Sequence, residues 1–189
     1  TDARNNLWRA VAYACHPDAW GVQIVFDNQV ILGTRARKTR TKRFNAFSSI
    51  DYPETAMFRA RRLIQFLQRP AEYTHAVFST ALDPNAFVLR LVPGMRADII
   101  LMLEGRYRAL VLESFGVGGL PGGDDGAMFA AVRDWCGAGH LAVFTTQVPH
   151  EGSDLAVYEV GRAAKALPGV LEAHDMTPEA TAVKLMWVL

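Results

Sequence analysis

The sequence predicts an α/β protein in two lobes: a partial first lobe carrying a β-hairpin, residues 1–80, and a parallel-sheet α/β domain, residues 81–189. Three observations carry that prediction. From Phe87 onward strand-like and helix-like patterns alternate, which implies parallel strands joined by right-handed crossovers. Ala109-Leu110-Val111-Leu112 is an apolar run without alternation, as expected of a strand buried on both faces. Near the start, Val22, Ile24 and Phe26 alternate, Asp27-Asn28 is a turn pair, and Val30-Ile31-Leu32 returns as the second arm of a hairpin.

Composition fits such a fold and limits what it does. With 189 residues, half of them hydrophobic, the chain can bury roughly 70% of the surface that its unfolded form exposes. Lys plus Arg number 20 against 19 Asp plus Glu, so no global charge draws it to nucleic acid or to an anionic membrane. No apolar run approaches the roughly 20 residues of a membrane-spanning helix. Cys15 and Cys136 both fall among apolar helix positions and read as buried free thiols in a reducing compartment. The chain opens on Thr1-Asp2, a capping pair, and closes at Leu189 inside a helical pattern without a stop signal. Both ends are therefore expected to be cut edges of a longer protein.

Taken in order, residues 3–15 read as a helix with Leu7, Val11, Ala14 and Cys15 on one face, stopped by His16-Pro17. After the hairpin and Gly33 comes a basic run: Arg35, Arg37, Lys38, Arg40, Lys42 and Arg43, followed by Phe44 and Phe47. Residues 54–84 read as a connection between lobes, with a possible helix from Arg59 to Leu67 and breakers at Arg69-Pro70 and Asp83-Pro84. Phe87–Val92 is a strand, and Arg96–Glu104 a helix ended by Gly105. Ala109–Leu112 is the next strand, leading through Glu113-Ser114 into the glycines Gly116, Gly118, Gly119, Gly122 and Gly123. Asp125–Cys136 is a helix with Met128, Val132 and Trp135 on one stripe. Leu141–Phe144 is a strand, and helical signals return over Gly161–Ala166. Thr177-Pro178-Glu179 opens the last helix with a cap, a first-turn proline and an acid, and its buried stripe is Ala182, Leu185, Met186 and Leu189.

Candidate chemistry is sparse. His16, His75, His140, His150 and His174 are scattered, with neither H-E-x-x-H nor C-x-x-C, so no metal is expected. Cys15 and Cys136 are explained by packing, and Thr1 by helix capping rather than by nucleophilic catalysis. The strand–glycine loop–helix unit at 109–136 marks a crevice to look into, because ligands of open α/β sheets bind outside the carboxyl ends of the strands. Its spacing matches neither G-x-G-x-x-G nor a P-loop, so a tight strand-to-helix turn is the favoured reading from these residues alone. The basic run has three readings: a solvated hairpin flank, a phosphate site with Phe44 and Phe47 as stacking platforms, or the setting of one functional lysine. Crowding Lys38 between Arg37 and Arg40, with partial burial, would lower its pKa and suit it to proton transfer.

Several ordered stretches resemble the type I L-asparaginases, particularly their archaeal-like branch. VFDNQVILGTRARKTRTKRFNAFSSIDYP at Val25–Pro53 resembles the mid-chain segment of that family. LVLESFGVGGLP at Leu110–Pro121 is similar to its strand and G-V-G loop. TTQVPHEGSDLAVYEVGRAA at Thr145–Ala164 and HDMTPEATAVKLMW at His174–Trp187 resemble its last third, and TDARNNLWRAV at Thr1–Val11 resembles the helix after its S-D-A motif. The likeness is weakest between Glu54 and Asn85.

The resemblance implies a cofactor-free amidohydrolase that converts L-asparagine to L-aspartate and ammonia. A threonine attacks the amide, and a second threonine, an aspartate and a lysine handle the protons. The lysine follows the hairpin in a G-x-x-x-x-K arrangement, here Gly33 to Lys38. The nucleophile motif G-G-T-I and the motif T-D-T are absent, so the nucleophile is expected outside this chain and the chain alone is expected to be inactive. Residues 1–80 then read as the remainder of an N-terminal asparaginase domain and 81–189 as the C-terminal domain. Members act as homodimers or homotetramers with the site at the subunit interface. The resemblance gives Gly118, Gly119, Tyr158 and Glu159 as contributors to the substrate pocket or to the partner's site. Two departures stand out: the branch often carries asparagine where Gly119 stands, and lysine where Glu159 follows Tyr158. A cytoplasmic location is implied, with no membrane or nucleic-acid partner. Two other readings remain: an asparaginase-like component of a tRNA-dependent amidotransferase acting on glutamine, and a non-catalytic asparagine-binding module.

Overall fold

A computed structural model describes residues 2–71, 77–121 and 126–189. Thr1, His75, Gly122, Gly123, Asp124 and Asp125 lie outside the described residues, and with them the expected Thr1 cap and the expected start of a helix at Asp125. The chain divides into two compact units, Thr1–Ser79 and Thr80–Leu189.

In the first unit, helix α1 (Asp2–Ala14) precedes the hairpin of β1 (Gln23–Phe26) and β2 (Gln29–Leu32). The hairpin turns at Asp27, whose φ of 53° is a left-handed conformation that Asp tolerates better than most residues. Asn6 of α1 is buried and its side-chain oxygen accepts the Asp27 N–H at 2.9 Å, tying helix to turn. A turn over Gly33–Arg35 leads to β3 (Ala36–Lys38), which pairs antiparallel with β4 (Phe47–Ser49). β5 (Ala56–Arg59) and β6 (Arg62–Gln65) complete a four-stranded antiparallel sheet in the order β1-β2-β5-β6. Tyr13, Val30, Ala56 and Phe58 form its buried cluster.

Three expectations are corrected here. The possible helix at Arg59–Leu67 is instead the β5–β6 hairpin, turning at Ala60 with φ 56°. Ala56 and Phe58 alternate inward with Met57 and Arg59 between them, and that period-2 pattern outweighs the local helix propensity of Ala, Arg and Leu. The buried face of α1 carries Asn6 and Tyr13, whereas Leu7 and Val11 are 67% and 56% exposed. Cys15, placed beyond the helix end, is a free and exposed thiol rather than a buried one.

The second unit is a parallel sheet of β7 (Ala86–Arg90), β8 (Ala109–Ser114), β9 (Leu141–Thr146) and β10 (Val170–Glu172), in unbroken sequential order. All six residues of β8 are buried. Strand alternation sorts them: Leu110 and Leu112, with Ala142 and Phe144, pack against α2 (Asp98–Leu103), α3 (Ala127–Gly137) and α4 (Glu159–Lys165). Ala109 and Val111, with Val143, pack against α5 (Pro178–Val188). Helices thus cover both faces, as a continuous apolar strand requires. Each fully buried Val or Leu contributes about 1.5–3 kcal/mol of transfer free energy. Met128, Val132 and Trp135 of α3 are buried as the stripe predicts, and Thr177 caps α5 by accepting the Ala180 N–H at 3.2 Å. Strand β10 has no counterpart in the sequence reading. Cys136 is buried, and burial pushes its thiol up from the ordinary value.

Candidate active site

Lys38 sits at the end of β3, opposite Phe47. Gly33 sets the path to it: its N–H donates to the Val22 carbonyl at 2.8 Å, and a Cβ there would stand 3.0 Å from that same oxygen. The chain therefore turns closely over Val22 and enters β3 just ahead of the lysine. Side chains alternate along β3, so Arg37 faces away from Lys38. Arg40 is engaged in the following turn, where its guanidinium donates to the Asn45 carbonyl at 3.1 Å and to the Thr39 and Ser48 hydroxyls at 3.4 Å. Arg35 lies 5.4 Å from the centroid of the Tyr52 ring. Lys38 itself is exposed, so the partial burial expected of it is not found, and its side chain makes no hydrogen bond or ion pair among the described residues. The paired stacking platform is not formed either: Phe47 packs on Phe26 with ring centroids 5.1 Å apart, and only Phe44 is exposed.

In the second unit the glycine loop closes tightly on itself. Phe115 N–H donates to the Gly119 carbonyl at 2.9 Å, and Gly119 N–H returns to the Phe115 carbonyl at 2.7 Å. Gly116 has φ 49° and Gly118 φ 151°. A Cβ on Gly118 would stand 2.5 Å from Leu155 Cδ2, so that glycine lets the loop press onto a fully buried leucine. Asp154 N–H donates to the Val117 carbonyl at 2.8 Å. The loop bearing Gly118 and Gly119 is thereby joined to the segment that runs into Tyr158 and Glu159. Tyr158 precedes α4 and is 64% exposed, and Glu159 is its exposed first residue. Glu159 is also the acid of the first turn of α4, a position that the helix dipole favours.

Sequence reasoning missed the polar collection at the carboxyl ends of β8 and β9. Glu113, Ser114, Thr145 and Thr146 are all buried. Ser114 donates to the Thr145 carbonyl at 2.7 Å, and Thr146 to the Gly116 carbonyl at 2.5 Å. Gln147 donates to the carbonyls of Leu91 at 2.6 Å and Glu113 at 2.8 Å. The signal was an apolar strand ending in polar residues immediately before a glycine loop. A second missed group is Glu172 on β10, whose carboxylate accepts the Leu155 N–H at 2.6 Å and the Lys165 ammonium at 3.0 Å. It holds from behind the same leucine that meets Gly118. Among the described residues no group of three or more His, Cys, Asp or Glu side chains is placed to hold a metal, and no helix is long and apolar enough to cross a membrane.

A parallel α/β unit with this glycine loop, following a unit with this hairpin and lysine turn, matches two families of known domains. Residues 1–72 match the family described as "Asparaginase, N-terminal", and residues 85–189 match the "Glutaminase/Asparaginase C-terminal domain". The chain belongs to the asparaginase family. It is 35% identical over its whole length to an L-asparaginase of Thermococcus kodakarensis, covering 56% of that protein. The solved structure of the thermostable L-asparaginase from Thermococcus kodakarensis superposes with a TM-score of 0.89 at 34% identity, over 98% of this chain and 56% of that one. L-asparaginase I from Vibrio cholerae gives a TM-score of 0.79 at 25% identity, over 99% of this chain and 56% of that one. Over 83% of its length this chain is 31% identical to a subunit of the glutamyl-tRNA(Gln) amidotransferase of Metallosphaera sedula, covering 36% of that protein. The chain thus spans about half the length of these asparaginases.

Proposed function

We propose that the protein is an L-asparaginase that hydrolyses the side-chain amide of L-asparagine to L-aspartate and ammonia. The observation that carries this reading is the end-to-end likeness to an L-asparaginase, in sequence and in fold at once. Neither threonine motif occurs in these 189 residues, so the nucleophile belongs to a part of the protein outside this chain. Lys38 supplies the proton relay. An exposed lysine whose side chain has no acidic partner among the described residues is free to meet the second threonine and the aspartate. Gly118 and Gly119 hold a backbone loop against Leu155, and Tyr158 and Glu159 offer a phenol and a carboxylate beside it, toward the substrate pocket or a partner subunit's site. The enzyme works in the cytoplasm, in amino-acid metabolism, as a homodimer or homotetramer, and needs no cofactor.

The test is ammonia release from asparagine and from glutamine by the full-length protein. Turnover of asparagine ahead of glutamine is expected. Turnover of glutamine alone, stimulated by tRNA, would favour the second reading, which the likeness to the glutamyl-tRNA(Gln) amidotransferase keeps open. No turnover of either amide would overturn the enzyme reading and leave an asparagine-binding module.

A further inference from the structure

A second feature of the first unit lies outside this chemistry. A groove of about 560 Å³ runs between α1 and the β5–β6 turn, lined by Arg4, Asn5, Trp8, Arg9, Ala60 and Arg61. The helix contributes positions i, i+1, i+4 and i+5, which project from one face. Three arginines line it, and none of their guanidinium groups has an ion pair or hydrogen bond among the described residues. The Nε of Arg9 is buried without a hydrogen-bond partner among the described residues, a costly state for a donor on a permanent cation. Asp2, the acid in the first turn of α1, does not line the groove. One wall is rigid: Trp8 meets the Phe58 ring edge-on at 6.0 Å, and the Arg61 guanidinium carbon lies 5.8 Å from the Trp8 centroid.

We infer that this groove binds a phosphate-bearing small molecule. Three arginines around one groove call for a compact group with two negative charges and several acceptor oxygens, which a phosphoryl group provides and a single carboxylate does not. The Arg9 Nε donor would find its acceptor there. The groove is larger than a phosphate ion and falls within the usual range of small-ligand pockets, so its room beside Trp8 suits the organic part of a phosphate ester.

The experiment follows the indole N–H resonance of Trp8 in the full-length protein, assigned with Trp8→Phe. Inorganic phosphate and adenosine monophosphate are titrated separately against potassium chloride of equal ionic strength. Saturable shifts with phosphate, with the monophosphate or with both are expected, and the tighter ligand tells a free ion from an ester. Arg61→Gln, and separately Arg9→Gln, should weaken binding by about tenfold or more, the loss of one charge-assisted hydrogen bond. Arg61 is exposed, so its variant keeps the test valid should Arg9→Gln fail to fold. Arg106→Gln, an exposed arginine of the second unit, should leave binding unchanged. Overturning results are the absence of a saturable shift with either ligand, a shift that potassium chloride reproduces, or one that survives Arg61→Gln.

Discussion

Gly118 shows how one residue decides the shape of the candidate site. A methyl group there meets Leu155 Cδ2 at 2.5 Å, and the backbone φ of 151° is one that side chains rarely adopt. Gly118→Ala should cost about 1–3 kcal/mol in urea unfolding and loosen the loop from Leu155. A variant as stable as the parent would show that the close approach is not structural. The glycine-rich composition was legible from the sequence, but which glycine is required was not, because Leu155 lies 37 residues further along the chain. Cys136 gives a pH signature. Burial raises its pKa above the ordinary thiol value, with a backbone hydrogen bond from Ala142 opposing. The folded chain therefore keeps its proton at pH values where the unfolded chain loses it. The stability this supplies is complete below about pH 9 and is lost as pH rises through the folded value. Cys136→Ala should flatten the alkaline fall in stability measured by urea unfolding; equal slopes for parent and variant would contradict the assignment.

At the scale of elements, signals that are local in sequence were readable. The Thr177-Pro178-Glu179 opening of α5 states its own cap, and the cap is made. Thr177→Ala should lower stability by about 1 kcal/mol, and Thr177→Ser should recover most of it by restoring the hydroxyl acceptor. An alanine variant without loss would mean that the 3.2 Å contact contributes nothing. Strands β7, β8 and β9 were legible and β10 was not: a strand buried on both faces, as β8 is, writes a continuous apolar run, whereas β10 is three partly exposed residues. The β5–β6 hairpin was not legible. Its turn residues, Ala60 and Arg61, carry no turn chemistry, and its arms are only four residues long. For α1 the stripe through Leu7 and Val11 promised the buried face, but the buried residues are the polar Asn6, which accepts the Asp27 N–H, and Tyr13. Hydrophobic periodicity cannot foresee a face chosen by one buried amide.

At the scale of the whole molecule, the family was legible because several ordered motifs span the chain, from Thr1–Val11 to His174–Trp187. No single motif would have sufficed. The candidate site was proposed from the sequence only in outline. Gly33 to Lys38 could be read as a spacing, while the polar carboxyl ends of β8 and β9 and the Glu172 brace depend on pairings between distant segments. The central claim, that this is an asparaginase with Lys38 in its proton relay, is tested most directly by one comparison. Steady-state hydrolysis of asparagine is measured for the full-length protein and for Lys38→Met, with thermal unfolding of both. Lys38 is exposed and unpartnered among the described residues, so unfolding should be unchanged, while kcat should fall by about a hundred- to ten-thousand-fold, as for loss of a general acid–base group. A Lys38→Met enzyme that turns over asparagine at the parental rate would contradict the account.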